Sequence, residues 1–217
     1  MSFGLSRGKT LDVGDVGIDM RSLPPSDEGR IDPKNWFQEQ TKPLEIEIGS
    51  GKGTFLLQQS ELQPETNFLG FEWAAEFYRY GADRIRRNGR KNVRIVYGDA
   101  TEILKYSCKD NVAEVIHLYF SDPWPKKRHH KRRVIQDETL QTFHRILKLE
   151  GELRIVTDHE ELWKWCEAHI DRHSDMFKRK PFDTVDSASE GELTGSNFER
   201  KYRRDGRPFH AVTLCSI

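Results

Sequence analysis

From Pro43 onward the chain alternates short apolar runs with amphipathic stretches, and few architectures accept that pattern. The apolar runs are LEIEI (44–48), NFLGFE (67–72), NVRIVYG (92–98), VAEVIHLYF (112–120) and ELRIVTD (152–158). Helical candidates lie between and after them: GTFLLQQSEL (53–62), AAEFYRYGADRIRRNGR (74–90), VIQDETLQTFHRIL (134–147) and HEELWKWCEAHI (159–170). Strands and helices in this order predict an α/β domain with a mostly parallel sheet and helices on both faces. In the helix at 74–88, Ala74, Phe77, Tyr78, Gly81 and Ile85 share one side at helical spacing, while Arg79, Asp83, Arg86 and Arg90 line the other. FDTV (182–185) and FHAVTLCSI (209–217) read as two further strands. Residues 1–33 hold five Gly and three Pro without apolar periodicity, so the expectation is a flexible arm followed by one domain over 34–217.

No apolar run approaches the ~18 residues of a membrane span, and the segment MSFGLSRGKTLDVGD has no secretory apolar core. Cys108, Cys166 and Cys215 are odd in number and form no CxxC pair, which points to a reduced, cytoplasmic setting with no metal site. Lys+Arg and Asp+Glu both total 35, but the positive charge is clustered. Residues 79–94, 126–133 and 200–207 hold 18 of the 35 cations in 32 positions. A neutral chain with such patches can still bind a polyanion locally.

The first strand runs into EIGSGKG (47–53), where Gly49, Gly51 and Gly53 suit a sharp turn that a ligand can approach closely. Three acids border the same crevice: Glu47 before the glycines, Glu72 ending the second strand and Asp99 after the third. A strand-end acid accepts hydrogen bonds from ribose hydroxyls, and an acid beside the next strand suits an adenine amine. The dinucleotide fingerprint wants glycine at the position held by Thr54. A carboxylate-rich pocket repels a pyrophosphate and suits a sulfonium, so the loop reads as a site for S-adenosylmethionine (SAM). Glu45, on the same strand face as Glu47, has no evident role. His117, inside an apolar strand, reads as a core histidine.

The fourth strand leads into FSDPWPKKRHHKRR (120–133). Asp122 stands at its carboxyl end, Pro123 and Pro125 stiffen the turn, and six cations follow. A cationic run starting four residues after a crevice acid suits nucleic acid brought to that acid.

With EIGSGKG, FLGFE (68–72), GDA (98–100), TDHE (157–160) and SNFERKYRRDGRPFH (196–210), this block makes the chain resemble the bacterial tRNA (guanine-N7-)-methyltransferases over residues 35–217. The resemblance implies a single Rossmann-like class I methyltransferase domain, with SAM as donor and N7 of guanosine 46 in the tRNA variable loop as acceptor. It implies SAM-contacting or active-site roles for Glu47, Glu72, Asp99 and Asp122, beside the glycines. It implies substrate binding at Lys126 and Asp158, and by the segment Ser196, Asn197, Phe198, Glu199. Ser196 stands where the family has threonine, and Thr194 is expected to be a bystander. Lys127, Arg128, Lys131, Arg132 and Arg133 are expected on the RNA backbone, and no protein partner is evident. Asp158 has a second reading, as N-cap of the following helix, and Phe198 reads as a core anchor. Other readings of the same residues are a different SAM-dependent nucleic-acid N-methyltransferase, or a non-catalytic RNA-binding protein.

Guanine N7 has an in-plane lone pair and needs no general base; the demand is in-line placement against the methyl group. Positive charge then moves onto the purine, where a fixed carboxylate stabilises it. Asp122 is the candidate, with a contact to the guanine or to the SAM amino group both open.

Overall fold

A computed structural model describes residues 10–25 and 28–217. Its eight strands are β1 (Gly17–Asp19), β2 (Leu44–Ile48), β3 (Asn67–Glu72), β4 (Val93–Tyr97), β5 (Ala113–Tyr119), β6 (Leu147–Thr157), β7 (Phe177–Lys180) and β8 (His210–Ser216). Its α-helices are α1 (Thr54–Leu62), α2 (Ala75–Arg87), α3 (Ala100–Ser107), α4 (Asp137–Ile146), α5 (Glu160–Arg172) and α6 (Asn197–Arg204). The strands form one sheet in the order β1-β4-β3-β2-β5-β6-β8-β7. Pairing is parallel from β1 through β6, and β8 runs antiparallel between β6 and β7.

Alternation along the strands sorts the core into two layers. Leu44, Ile46, Leu69, Phe71, Ile116, Leu118, Leu153 and Ile155 pack with residues of α3, α4 and α5 on one face. Phe68, Val93, Ile95, Tyr119 and Val156 pack with residues of α1 and α2 on the other. The chain leaves β2 toward β3 and β4 and returns to the opposite side of β2 as β5. The sheet order therefore reverses at β2, and ligands of open α/β sheets bind in the crevice at such a point.

The same alternation explains Glu45. It shares the α1 face with His117 and Tyr119, where His117 bridges Glu45 Oε2 and the Tyr119 hydroxyl at 2.7 Å each. Phe55 of α1 covers the pair, its ring centroid 4.8 Å from His117 and 5.5 Å from Tyr119. His117 is thus a core histidine, and Glu45 is its partner.

Three expectations need correction. The arm over 1–33 does not describe the residues seen: β1 pairs with the free edge of β4, Val16 is buried, and Ile31 bridges to Cys108. An edge strand with unpaired backbone groups is a template for any extended segment nearby, whatever its composition. Residues 1–9 and 26–27 of that arm lie outside the described residues. The seventh strand is Phe177–Lys180, not 182–185; Phe182 and Val185 instead pack as loop side chains against the α1 layer. Asp83 does not join the exposed cationic side of α2: it is buried, where it accepts from Arg86, Arg87 and the amide of Asp12.

Replacing Glu45 with Ala leaves a buried imidazole nitrogen without its partner. The expected loss is about 1–3 kcal/mol of stability, read from the midpoint of urea unfolding at unchanged slope.

Candidate active site

The turn from β2 to α1 puts Gly49, Gly51 and Gly53 at φ of 82°, 53° and 66°, a region that disfavours side chains. The amides of Gly49 and Ser50 donate to the Phe71 carbonyl, and that of Gly51 donates to Glu72 Oε2 at 2.8 Å. The other oxygen of Glu72 accepts the Ala74 amide at 2.8 Å. Glu72 therefore fixes the glycine loop and the entry of α2 together.

Glu47 is buried beside it, and its Oε2 has no hydrogen-bond partner. Burial pushes the Glu47 carboxyl well above the usual range, and the neighbouring Glu72 adds to this. Burial also raises Glu72; the Ala74 and Gly51 amides oppose the shift, and Asp122 reinforces it. A buried, unpartnered acid next to a second acid fits a cationic donor such as the sulfonium and ammonium of SAM. It does not fit an anion.

Asp99 is exposed and caps α3, its Oδ1 accepting the amide and hydroxyl of Thr101 at 2.9 and 2.7 Å. Asp122 is exposed at the end of β5, within electrostatic reach of Glu72 and Tyr202. Phe120 and Trp124, on either side of it, hold φ of 53° and 43°. Such values are unusual for bulky residues, and conformations of this kind cluster at functional sites. Glu47, Glu72, Asp99, Asp122 and the three glycines all stand at the carboxyl ends of β2 to β5.

The segment before α6 folds around Glu199. This fully buried carboxylate accepts the amides of Leu193, Thr194 and Gly195, the Thr194 hydroxyl and the Arg203 guanidinium. Burial pushes its carboxyl up, but the Thr194 and Leu193 amides outweigh that, and it lies below the usual range. Glu199 thus shapes the loop from within rather than facing a substrate. Ser196 caps α6 by accepting the Glu199 amide, and the Thr194 hydroxyl lies 3.0 Å from it. Thr194 is buried and belongs to the same network, so it is no bystander. Asn197 reaches across to α1, donating to the Thr54 hydroxyl at 2.7 Å. Phe198 is not a core anchor: it is 46% exposed, and its ring lies 3.8 Å from where a Cβ on Gly51 would stand.

Asp158 does not cap α5; His159 does, through its ring nitrogen. Asp158 instead pairs with Arg207 at 2.6 Å, and Arg207 lies over the Tyr202 ring. This joins the end of β6 to the stretch leading into β8.

The block after Asp122 forms a short helical turn, Lys127–Arg132. Lys126, Lys127, Arg128, Lys131 and Arg132 are exposed, and among the described residues none is paired with an acid. Arg132 lies over the Trp124 ring. Arg133 does not belong with them. It is 2% exposed, donates to the Pro123 carbonyl and to Glu161, and lies over Trp165. It fastens the Asp122 loop to α5 and cannot present its charge to RNA.

Sequence reasoning missed the Thr194–Glu199 network, the Asn197–Thr54 bond and Trp73. The last had a signal, since a large aromatic directly follows the strand-end acid Glu72.

The fold alone is that of Rossmann-like methyltransferases. Over 81% of this chain it superposes on 87% of the aminoglycoside resistance methyltransferase NpmB1 with a TM-score of 0.57 at 19% identity. Over 81% of this chain it superposes on 82% of a SAM-dependent methyltransferase from Aquifex aeolicus with a TM-score of 0.52 at 14% identity. Residues 41–212 match a family described as "Putative methyltransferase". A tRNA (guanine-N(7)-)-methyltransferase of Lactobacillus gasseri is 33% identical over 196 residues, 87% of each chain. That of Enterococcus faecalis is 30% identical over 83% of this chain and 86% of its own. That of Rhodopirellula baltica is 33% identical over 79% of this chain, which spans 65% of the longer relative. The chain belongs to the tRNA (guanine-N7-)-methyltransferase family.

The buried acid gives a prediction with a definite sign. Glu47 has a folded pKa raised above the 4.5 it has when unfolded. In that window the folded state binds more protons, so its stability falls as pH rises from the usual carboxylate range toward the folded pKa. Glu47→Gln removes the titration. Thermal melts of the ligand-free proteins between about pH 5 and 8 should show the variant gaining on the parent as pH rises. Its affinity for SAM, measured by calorimetry, should fall.

Proposed function

We propose that this chain transfers the methyl group of SAM to N7 of a guanine in tRNA, at position 46 of the variable loop by the family resemblance, in the cytoplasm. The observation that carries this reading is one juxtaposition. A buried acid pair at the glycine loop faces Asp122, and a run of exposed lysines and arginines starts four residues later at Lys126, those of 126–132 without an acidic partner among the described residues. Among the described residues no helix is long and apolar enough to cross a membrane, and no cluster of His, Cys, Asp or Glu is suited to a metal ion.

SAM, when bound, supplies an electrophilic methyl group on a sulfonium. Glu47 offers an unpartnered carboxylate to the positive end of the donor. Glu72 holds the glycine loop through the Gly51 amide and the start of α2 through the Ala74 amide, and keeps further lone pairs for ribose hydroxyls. Asp99 caps α3 through Oδ1 and offers its other oxygen to the adenine amine. The cations of 126–132 hold the RNA backbone and place one nucleotide at the mouth of the crevice, a positioning task that carries much of the rate. Asp122 stands where the purine becomes cationic, and its carboxylate stabilises that charge more in the transition state than before it. No proton needs to leave N7, so no residue is required as a base there.

The direct test is incubation with labelled SAM and unmodified tRNA, followed by nucleoside analysis. The expected product is 7-methylguanosine; transfer to another nucleoside, or none, overturns the reading. Asp122→Ala should lower kcat by about 100-fold or more while the melting temperature and SAM affinity stay close to the parent. Reversing the charge at Lys127, Arg128 and Lys131 should flatten the salt dependence of tRNA binding. Each lost phosphate contact removes about 0.7–0.9 from the slope of log K against log salt. An unchanged slope would leave the turn a solvated surface.

A further inference from the structure

The family match begins at residue 41, so β1 and the turn Met20–Ser22 lie outside it. That segment nevertheless closes one end of the crevice. Pairing of Asp19 with Tyr97 carries the next residue, Met20, over the carboxyl end of β4. Its Sδ and Cβ lie 2.6 and 2.9 Å from where a Cβ on Gly98 would stand, so glycine at 98 is what admits the methionine. Tyr97 is held from behind by stacking on Tyr78 of α2, with centroids 5.3 Å apart.

Between these groups lies a cavity of about 290 Å³ lined by Met20, Arg21, Trp73, Tyr97 and Gly98. Trp73 and Met20 are 65% and 38% exposed, so both bring accessible apolar surface to the cavity. The two acids expected at the nucleoside flank it in sequence: Glu72 precedes Trp73, and Asp99 follows Gly98. An indole and a thioether make good contact with a flat, polarisable ring. The carboxylates of Glu72 and Asp99, adjacent in sequence to lining residues, can accept from an exocyclic amine and from ribose hydroxyls, while the one charged lining residue, Arg21, is paired with Asp19. This is the general pattern of a small-molecule site, mostly apolar with a few placed polar groups.

We infer that Met20 and Trp73 are apolar walls of the adenosine end of the cofactor site, and that the N-terminal strand β1 is therefore part of that site. The inference rests on reading the crevice as a SAM site and adds Met20, outside the family match at 41–212, to Trp73, which lies within it. It makes Met20 a binding residue delivered by a strand addition rather than by the parallel core.

The test is calorimetry of S-adenosylhomocysteine and of adenosine alone with the parent, Met20→Ala, Met20→Leu and Trp73→Ala. A gel-shift titration of tRNA and a thermal melt accompany each protein. The Ala variants should weaken both ligands by a similar factor, about 10-fold, with little change in tRNA affinity or melting temperature. Met20→Leu should restore most of the loss, since it keeps the apolar bulk. Unchanged ligand affinity in Met20→Ala, a loss for S-adenosylhomocysteine without one for adenosine, or a loss confined to tRNA would each overturn the inference. Failure of the parent to bind S-adenosylhomocysteine at all would overturn the methyltransferase reading as well, so the two failures are distinguishable. If Met20→Ala fails to fold, Trp73→Ala, at an exposed position, decides alone.

Discussion

Two carboxylates buried side by side at the reversal point of a parallel sheet are the constraint around which this molecule is arranged. Glu72 is compensated by two amides of the loops it joins, and Glu47 is left with a bare oxygen. Removing a charge from water without a partner is costly, so the site keeps a standing demand for a cation or a proton. The glycine loop, the capped start of α3 and the strained turn around Asp122 all converge on that demand. Selectivity for a positively charged donor follows from electrostatics before any shape complementarity is considered. The same demand disfavours the neutral product once the methyl has gone, which aids its exchange for a fresh donor.

Much of this was legible in the sequence because strand alternation and the glycine turn are local signals. Alternation along LEIEI puts both glutamates on one face, and Glu72 and Asp122 follow apolar runs directly enough to read as strand-end acids. What was not legible depended on distant partners. Arg133 reads as one more cation in a run, and only the approach of α5 and of the Pro123 carbonyl buries it. Glu199 reads as a free acid in a motif, yet its loop curls back and satisfies it completely. The segment at 16–19 has a loop's composition and becomes a strand because β4 offers an unpaired edge.

Charge clustering proved a weaker guide than charge availability. The arginines of the first cluster are largely engaged: Arg84 with the Thr54 hydroxyl, Arg86 and Arg87 with Asp83, Arg90 with Glu61. In the third, Arg200, Arg203 and Arg207 pair with Glu192, Glu199 and Asp158. These pairs join loops and helices, and exposed members contribute little individually. Arg133 apart, the middle cluster combines exposure, the absence of an acidic partner among the described residues and proximity to Asp122. It therefore dominates the positive field that an incoming polyanion meets at the crevice mouth.

The antiparallel strand β8 has a consequence for how the chain is made. It is inserted between β6 and β7, so β7 meets the sheet only through residues that follow it by some thirty positions in synthesis. On a growing chain the parallel strands can assemble in order of emergence, while β7 waits for its neighbour. The Asp158–Arg207 pair and the stacking of Trp163 on His210 wait with it, since both need the approach to β8. The acid pair, the glycine loop, Asp122 and the cationic turn that follows it all precede β6 in the chain, whereas the ties from the end of β6 and from α5 to Arg207 and His210 come last. A nascent chain would thus hold its crevice residues in sequence order before the C-terminal strand locks the far edge of the sheet.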